Sequence, residues 1–264
     1  MAVFDSYKHG QFSWVDLMTP NPEASKAFYT ELFGWRAVEI PTDQGGIYTQ
    51  FMQGEHPVAG MGEMADEVKR TGTPAVWYSY FAVDDVDAIA KKVTAAGGTI
   101  DMPPMDVMTA GRMAIFADPT GARFNVWQGK DHKGAGLCNE PVSLSWNELM
   151  TDDVPKAKAF YEAVAGWSIE RQEGMPNEYY MILNDGDMNG GILPKPPEAA
   201  RAPNHWAVYF TVADLETTME RIKALGGTAM MDIVEIPPGR FAVVFDPTGG
   251  AFTIFQMRAD APQG

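Results

Sequence analysis

Gly111-Arg-Met-Ala114, running on to the turn Asp118-Pro-Thr-Gly121, returns later in the chain as Gly239-Arg-Phe-Ala242 and Asp246-Pro-Thr-Gly249. Two short motifs kept at one internal spacing mark a duplicated unit. A second pair agrees: Ser25-Lys-Ala-Phe-Tyr29 with Phe33-Gly-Trp35 recurs as Ala157-Lys-Ala-Phe-Tyr161 with Ala165-Gly-Trp167. The chain therefore divides into units 1–130 and 141–258, with a linker at 131–140 and a tail at 259–264. Gly129-Lys-Asp-His-Lys-Gly-Ala-Gly136 has no periodic apolar residue to bury, and it reads as a linker.

Within the first unit, alternation over Phe12 to Leu17 predicts a strand, and Pro22 opens an amphipathic helix to Phe33 that Gly34 stops. Strands are expected near 36–40, 47–53 and 57–61. The pattern then restarts: Trp77 to Val83 alternates, Asp84 or Asp85 caps a helix over Val86 to Ala96, and Gly97-Gly98 ends it. Strands near 99–102, 112–117 and 122–128 follow. The second unit repeats the order, with strands at 142–149 and 206–212, helices at 154–165 and 214–225, and closing strands near 228–231, 240–245 and 250–256. Four β-α-β-β-β modules of α+β class result.

The 264 residues, 45% of them hydrophobic, are enough for two domains. One cysteine, Cys138, permits no intrachain disulfide and points to a reducing, cytoplasmic setting. No apolar run has signal-peptide or membrane-spanning length. A net charge of −15, with scattered Lys and Arg, argues against nucleic acid as a partner. A small molecule is the expected partner, and the chain is expected to be a monomer or a homodimer. No nucleotide loop, Cys-x-x-Cys pair or Ser-His-Asp order is present, so no nicotinamide or nucleotide cofactor is expected.

The opening Trp14-Val-Asp-Leu17, the Phe81-Ala-Val-Asp-Asp-Val-Asp-Ala88 junction and the two Asp-Pro-Thr-Gly turns resemble the vicinal-oxygen-chelate superfamily of glyoxalases, bleomycin-resistance proteins and extradiol dioxygenases. The resemblance covers nearly the whole chain. It implies two glyoxalase-like domains, each curling a mixed sheet into a cup with a metal held by three side chains. Carried over by motif, those places fall on Trp14, Tyr78 and Asn125 in the first unit, and on Trp146, Ala207 and Thr253 in the second. Indole N–H has no free lone pair, alanine offers nothing, and neutral amide or hydroxyl oxygens bind weakly. The expectation is a family fold without the family metal.

Strand parity assigns the cup linings. The first receives Trp14, Asp16, Tyr78, Tyr80, Arg112, Asn125 and Trp127; the second receives Trp146, Glu148, His205, Ala207, Tyr209, Arg240, Thr253 and Phe255. Asp16 and Glu148, each two residues past a matching tryptophan, serve either as acids with raised pKa or as structural carboxylates. Arg112 and Arg240 either clamp a ligand carboxylate or pair with a nearby acid. His205 is either a base or a hydrogen-bonded structural residue. The favoured function is binding of a small, planar organic molecule in an aromatic cup, the second in preference to the first. The alternative is a lyase, isomerase or dioxygenase that works through Glu148, His205 and Tyr209, with or without a metal. A ligand-free scaffold is the third reading.

Overall fold

The computed structural model describes residues 3–43, 45–175 and 177–258. The tail expected at 259–264 lies outside the described residues. The first half runs β1 (Phe12–Thr19), α1 (Pro22–Phe33), β2 (Arg36–Pro41), β3 (Ile47–Gln53), β4 (His56–Glu63), α2 (Asp66–Arg70), β5 (Val76–Ala82), α3 (Val86–Ala95), β6 (Thr99–Val107), β7 (Gly111–Ala117) and β8 (Arg123–Gly129). The second half runs β9 (Leu144–Thr151), α4 (Val154–Ala165), β10 (Ser168–Arg171), β11 (Tyr180–Asn184), β12 (Asp187–Pro194), β13 (His205–Thr211), α5 (Leu215–Ala224), β14 (Thr228–Ala229), β15 (Val234–Ile236), β16 (Gly239–Phe245) and β17 (Ala251–Met257). The long helices start where a side chain satisfies a free N–H of the first turn: Asn21, Asp85, Asp153 and Asp214 accept from Ala24, Ala88, Lys156 and Thr217. The short α2, which has no side-chain cap, is the helix that the sequence reading missed.

The first sheet has strand order β2-β3-β4-β1-β5-β8-β7-β6 and the second β10-β11-β12-β9-β13-β17-β16-β14, with β15 paired to β16. In each, two modules meet at a central antiparallel pair, β1 with β5 and β9 with β13. Each module returns its last strand parallel to its first. This is the α+β arrangement expected, with four β-α-β-β-β modules in two mixed sheets.

The halves do not keep separate cores. One core gathers Phe28, Tyr29, Leu32 and Phe33 of α1 with Phe210, Leu215, Ile222 and Phe252 of the second half. The other joins Ile89 and Val93 of α3 and Phe124 of β8 to Phe160, Tyr161 and Trp206. Helices of opposite halves thus lie together, and each sheet turns its helix-bearing face toward the other. Ser79 Oγ donates to Asn147 Oδ1 at 2.6 Å in the buried seam between the central strands. The two open faces point outward.

The repeated motifs hold this arrangement. Trp77 Nε1 donates to the Tyr29 hydroxyl at 3.0 Å, and that hydroxyl donates to Asp246 Oδ2 at 2.9 Å. Trp206 Nε1 donates to the Tyr161 hydroxyl at 2.9 Å, beside Asp118. The other oxygen of each aspartate closes its own turn: Asp246 accepts from Thr248 and Gly250, and Asp118 from Thr120 and Ala122. Tyr29 of the first half is therefore anchored on the last turn of the second, while Tyr161 lies beside the matching turn at Asp118.

The linker 131–140 is packed into the fold. Ala135, Leu137 and Cys138 are buried. The Ala135 N–H donates to Ser13 O, that of Gly136 to Pro57 O, and that of Phe4 to Gly136 O. Backbone hydrogen bonds hold it, and these leave no side-chain periodicity to read. The Cys138 thiol sits 3.3 Å from the Tyr7 hydroxyl, and burial pushes it up to about 11. No helix among the described residues is long and apolar enough to cross a membrane.

Removing the Tyr29 hydroxyl leaves the Trp77 N–H and one oxygen of Asp246 buried without that partner. Tyr29→Phe is therefore expected to cost about 1–3 kcal/mol, read as a lower midpoint in urea unfolding. Tyr161→Phe should act in the same direction.

Candidate functional site

Residues opposite one another in an antiparallel ladder share a face. On the outward face of the first sheet, Trp14 stands opposite Tyr80, Asp16 opposite Tyr78, Met113 opposite Trp127 and Ile115 opposite Asn125. On that of the second, Trp146 faces Tyr209, Glu148 faces Ala207, Met150 faces His205, Phe241 faces Phe255 and Val243 faces Thr253. The structure thus gathers the expected linings with two exceptions.

Those exceptions are Arg112 and Arg240, which turn to the helix side. Arg112 grips Asp87 of α3 through Nε at 2.9 Å and Nη2 at 3.0 Å, and reaches Asp106 at 3.3 Å. Arg240 pairs bidentately with Glu216 of α5, both contacts at 2.6 Å. Each shares its face with buried neighbours, Ala114 and Phe116 or Ala242 and Val244. A parity slip of one residue in β7 and β16 put them in the cups. Met113, Ile115, Phe241 and Val243 hold those places instead.

In the first cup, donors converge on one carboxyl group. Asp16 Oδ1 accepts from Trp14 Nε1 at 2.8 Å and from the Tyr48 hydroxyl at 2.7 Å; Oδ2 accepts from the Tyr80 hydroxyl at 2.8 Å. Burial raises the Asp16 pKa and the three donors pull it back. Asn125, 1% exposed, lies beside the Tyr80 hydroxyl, and its Oδ1 has no partner. Tyr78 stands apart from this chain, half-buried near Arg123 and Asp101. The segment after β8 covers the Trp14 end: the His132 ring lies edge-on to Trp14 at 4.5 Å, and Trp127 Nε1 donates to His132 O at 2.8 Å. Desolvation holds the His132 imidazole down to about 4, so it is neutral at physiological pH.

The second cup repeats the chain with changes. The Tyr209 hydroxyl donates to Glu148 Oε2, and the Tyr179 hydroxyl faces the same carboxyl. Trp146 Nε1 reaches Tyr179 at 3.0 Å rather than the acid itself. Burial raises the Glu148 pKa against the two tyrosines. Thr253, buried, adjoins Tyr209, whose ring lies 6.2 Å from that of Phe241. His205 shares the face but is held elsewhere: its Nδ1 lies 2.9 Å from Pro203 O, and burial lowers its pKa. Among the described residues no hydrogen bond joins it to Glu148.

Tyr48 and Tyr179 escaped the sequence reading, as did Gly60 and Gly191 beneath them. A Cβ on Gly60 would lie 1.8 Å from the Tyr48 hydroxyl, and one on Gly191 2.0 Å from that of Tyr179. Only hydrogen fits in either place. Both tyrosines and both glycines recur at one common spacing in the duplication, which is the signal that would have found them.

The donor set does not fit a divalent cation. In the first cup, the Trp14 N–H at the place implied for the first ligand points its proton at Asp16; in the second cup, Ala207 at the place implied for the second ligand carries only a methyl group. Among the described residues no group of three or more His, Cys, Asp or Glu is placed to hold a metal.

The model of the Glyoxalase/Bleomycin resistance protein/Dioxygenase superfamily matches residues 11–126 and again 143–254. The chain belongs to that superfamily. It is 42% identical over 265 residues to CFP32 of Mycobacterium tuberculosis (strain CDC 1551 / Oshkosh), whose name assigns it provisionally to the glyoxylases, with 100% of each chain covered. It is 37% identical to the anthracycline biosynthesis protein DauV of Streptomyces sp. (strain C5), over 96% of this chain and 95% of that one. Among solved structures, the Mn(II)-bound glyoxalase of Novosphingobium aromaticivorans shares the fold, with a TM-score of 0.65 at 19% identity over 94% of this chain and 82% of that one.

Two outcomes test this site. An acid whose pKa is raised by folding favours the native state most when protonated, so its contribution declines as pH rises from the ordinary value of 4.5. Glu148→Gln should therefore flatten the fall of stability as pH rises above 4.5, measured by urea unfolding at several pH values. Gly191→Ala should lower stability by about 1–3 kcal/mol, because Tyr179 must leave its place.

Proposed function

We propose that this protein binds a small, flat, largely apolar aromatic molecule in its second cup, without a metal ion. One observation carries the reading: Trp146 remains partly exposed beside an apolar wall, whereas its counterpart Trp14 is 3% exposed under His132. Phe241, Phe255 and Val243 line the face next to Tyr209 and Thr253. Aromatic walls with a few convergent polar groups suit planar ligands. Two relatives are named for anthracycline biosynthesis, which supports a polycyclic aromatic ligand. The indole and methyl groups at the places of the family ligands support a metal-free cup. Against a net charge of −15, nucleic acid is a poor partner, and the lone buried thiol suits the cytoplasm. The working form is a monomer or a homodimer.

A second reading is favoured by the Glu148 and Tyr209 pair. A buried carboxyl group with a raised pKa, touching a phenol, can hold and deliver a proton, as an enzyme of this superfamily would require. His205, facing Pro203, takes no direct part in that pair.

The test is titration of tryptophan fluorescence with 2-hydroxyanthraquinone. Saturable quenching is expected, weakened about tenfold or more in Trp146→Ala, because losing an aromatic wall removes about 1.5–3 kcal/mol of burial; Trp14→Phe should bind as before. An absence of saturation, or equal affinity in Trp146→Ala, would overturn the proposal. Turnover of the bound compound that is lost in Glu148→Gln at unchanged affinity would favour the second reading.

A further inference from the structure

The two cups carry the same polar chain, and the difference between them points to the chemistry of the ligand. Matching residues stand at matching register: Trp14 and Trp146, Asp16 and Glu148, Tyr80 and Tyr209 on the central strands, with Tyr48 and Tyr179 over Gly60 and Gly191. In the first cup the acid accepts three hydrogen bonds, from Trp14, Tyr48 and Tyr80. In the second, Tyr209 donates to Glu148 and Tyr179 faces it, but the indole of Trp146 stops at the Tyr179 hydroxyl. The acid of the second cup is one protein donor short of its counterpart.

A carboxyl group removed from water is stabilised by each donor that replaces a lost hydration contact. Where the first cup supplies the third donor from its own indole, the second leaves it to the occupant. Resting on the reading of the second cup as the binding site, we infer that its ligand carries a phenolic hydroxyl which donates to Glu148, taking the part that the Trp14 N–H plays at Asp16. The wall decides the class of donor. Phe241, Phe255 and Tyr209 accept a flat ring, and a hydroxyl in the plane of such a ring reaches the floor while its faces stay against the aromatic groups. The first cup cannot play this role, since Asp16 already has its third donor and Trp14 is covered by His132.

Two probes of nearly equal shape separate the inference from the reading beneath it. Binding of 2-hydroxyanthraquinone and of 2-methoxyanthraquinone is compared at pH 6, where the phenol keeps its proton, on the full-length protein and on Glu148→Ala. The hydroxyl compound is expected to bind at least about tenfold tighter, in line with a hydrogen bond to a buried carboxyl, and the gap should close in Glu148→Ala. If both compounds bind equally and both are weakened by Trp146→Ala, the donor inference fails while the cup reading stands. If neither binds, both fail. Should Glu148→Ala not fold, the comparison on the unaltered protein still decides, because equal affinities there overturn the inference unaided.

Discussion

The Tyr29 hydroxyl, between the Trp77 indole and the Asp246 carboxylate, is the contact on which the architecture turns. It fixes the first helix of one half on the last turn of the other, and its counterpart Tyr161 accepts from Trp206 beside Asp118. These groups are buried, so leaving any one unpaired carries a desolvation cost, and the exchange is specific as well as stabilising. The packing follows: helices of opposite halves pair, the sheets meet by their helix faces, and the cups face outward. The Asp-Pro-Thr-Gly turn therefore has two tasks. In Asp246 one carboxylate oxygen closes the turn and the other accepts from Tyr29 of the neighbouring half.

Within the cups, the polarity of the side chains is the reverse of what a cation needs. A metal site collects lone pairs around a positive charge. Here the first cup collects N–H and O–H groups around a carboxyl, with Trp14, Tyr48 and Tyr80 all donating to Asp16. The superfamily fold is present with a hydrogen-bonded carboxyl at the centre of the first cup, and fold does not by itself fix chemistry. Duplication then let the two copies diverge. The first lies partly under the chain that joins the halves, and the second keeps Trp146 within reach of solvent.

This divergence bears on how the second cup would work. On the proposed reading, the floor of Glu148, Tyr179 and Tyr209, tied by hydrogen bonds over a glycine that admits no side chain, would be formed before an occupant arrives. Ordering cost then falls on the ligand rather than on the protein. A flat, stiff molecule brings little conformational entropy to lose, which makes aromatic compounds natural occupants of such a site.

The amino-acid sequence by itself determined what depends on neighbours along the chain. The duplication, the helices at Pro22–Phe33 and Val154–Ala165, the cap at Asp85 and most strand positions were legible, because capping and periodicity are local effects. So were most cup residues on the central strands, including Asp16, Glu148, Tyr80 and Tyr209. The tertiary structure alone decided which way Arg112 and Arg240 point, since a shift of one residue in register exchanges the faces of a strand and only the partner strands set that register. It also brought Tyr48 and Tyr179 over their glycines, turned His205 to Pro203, and buried Ala135 and Leu137 through backbone hydrogen bonds that no side-chain pattern announces.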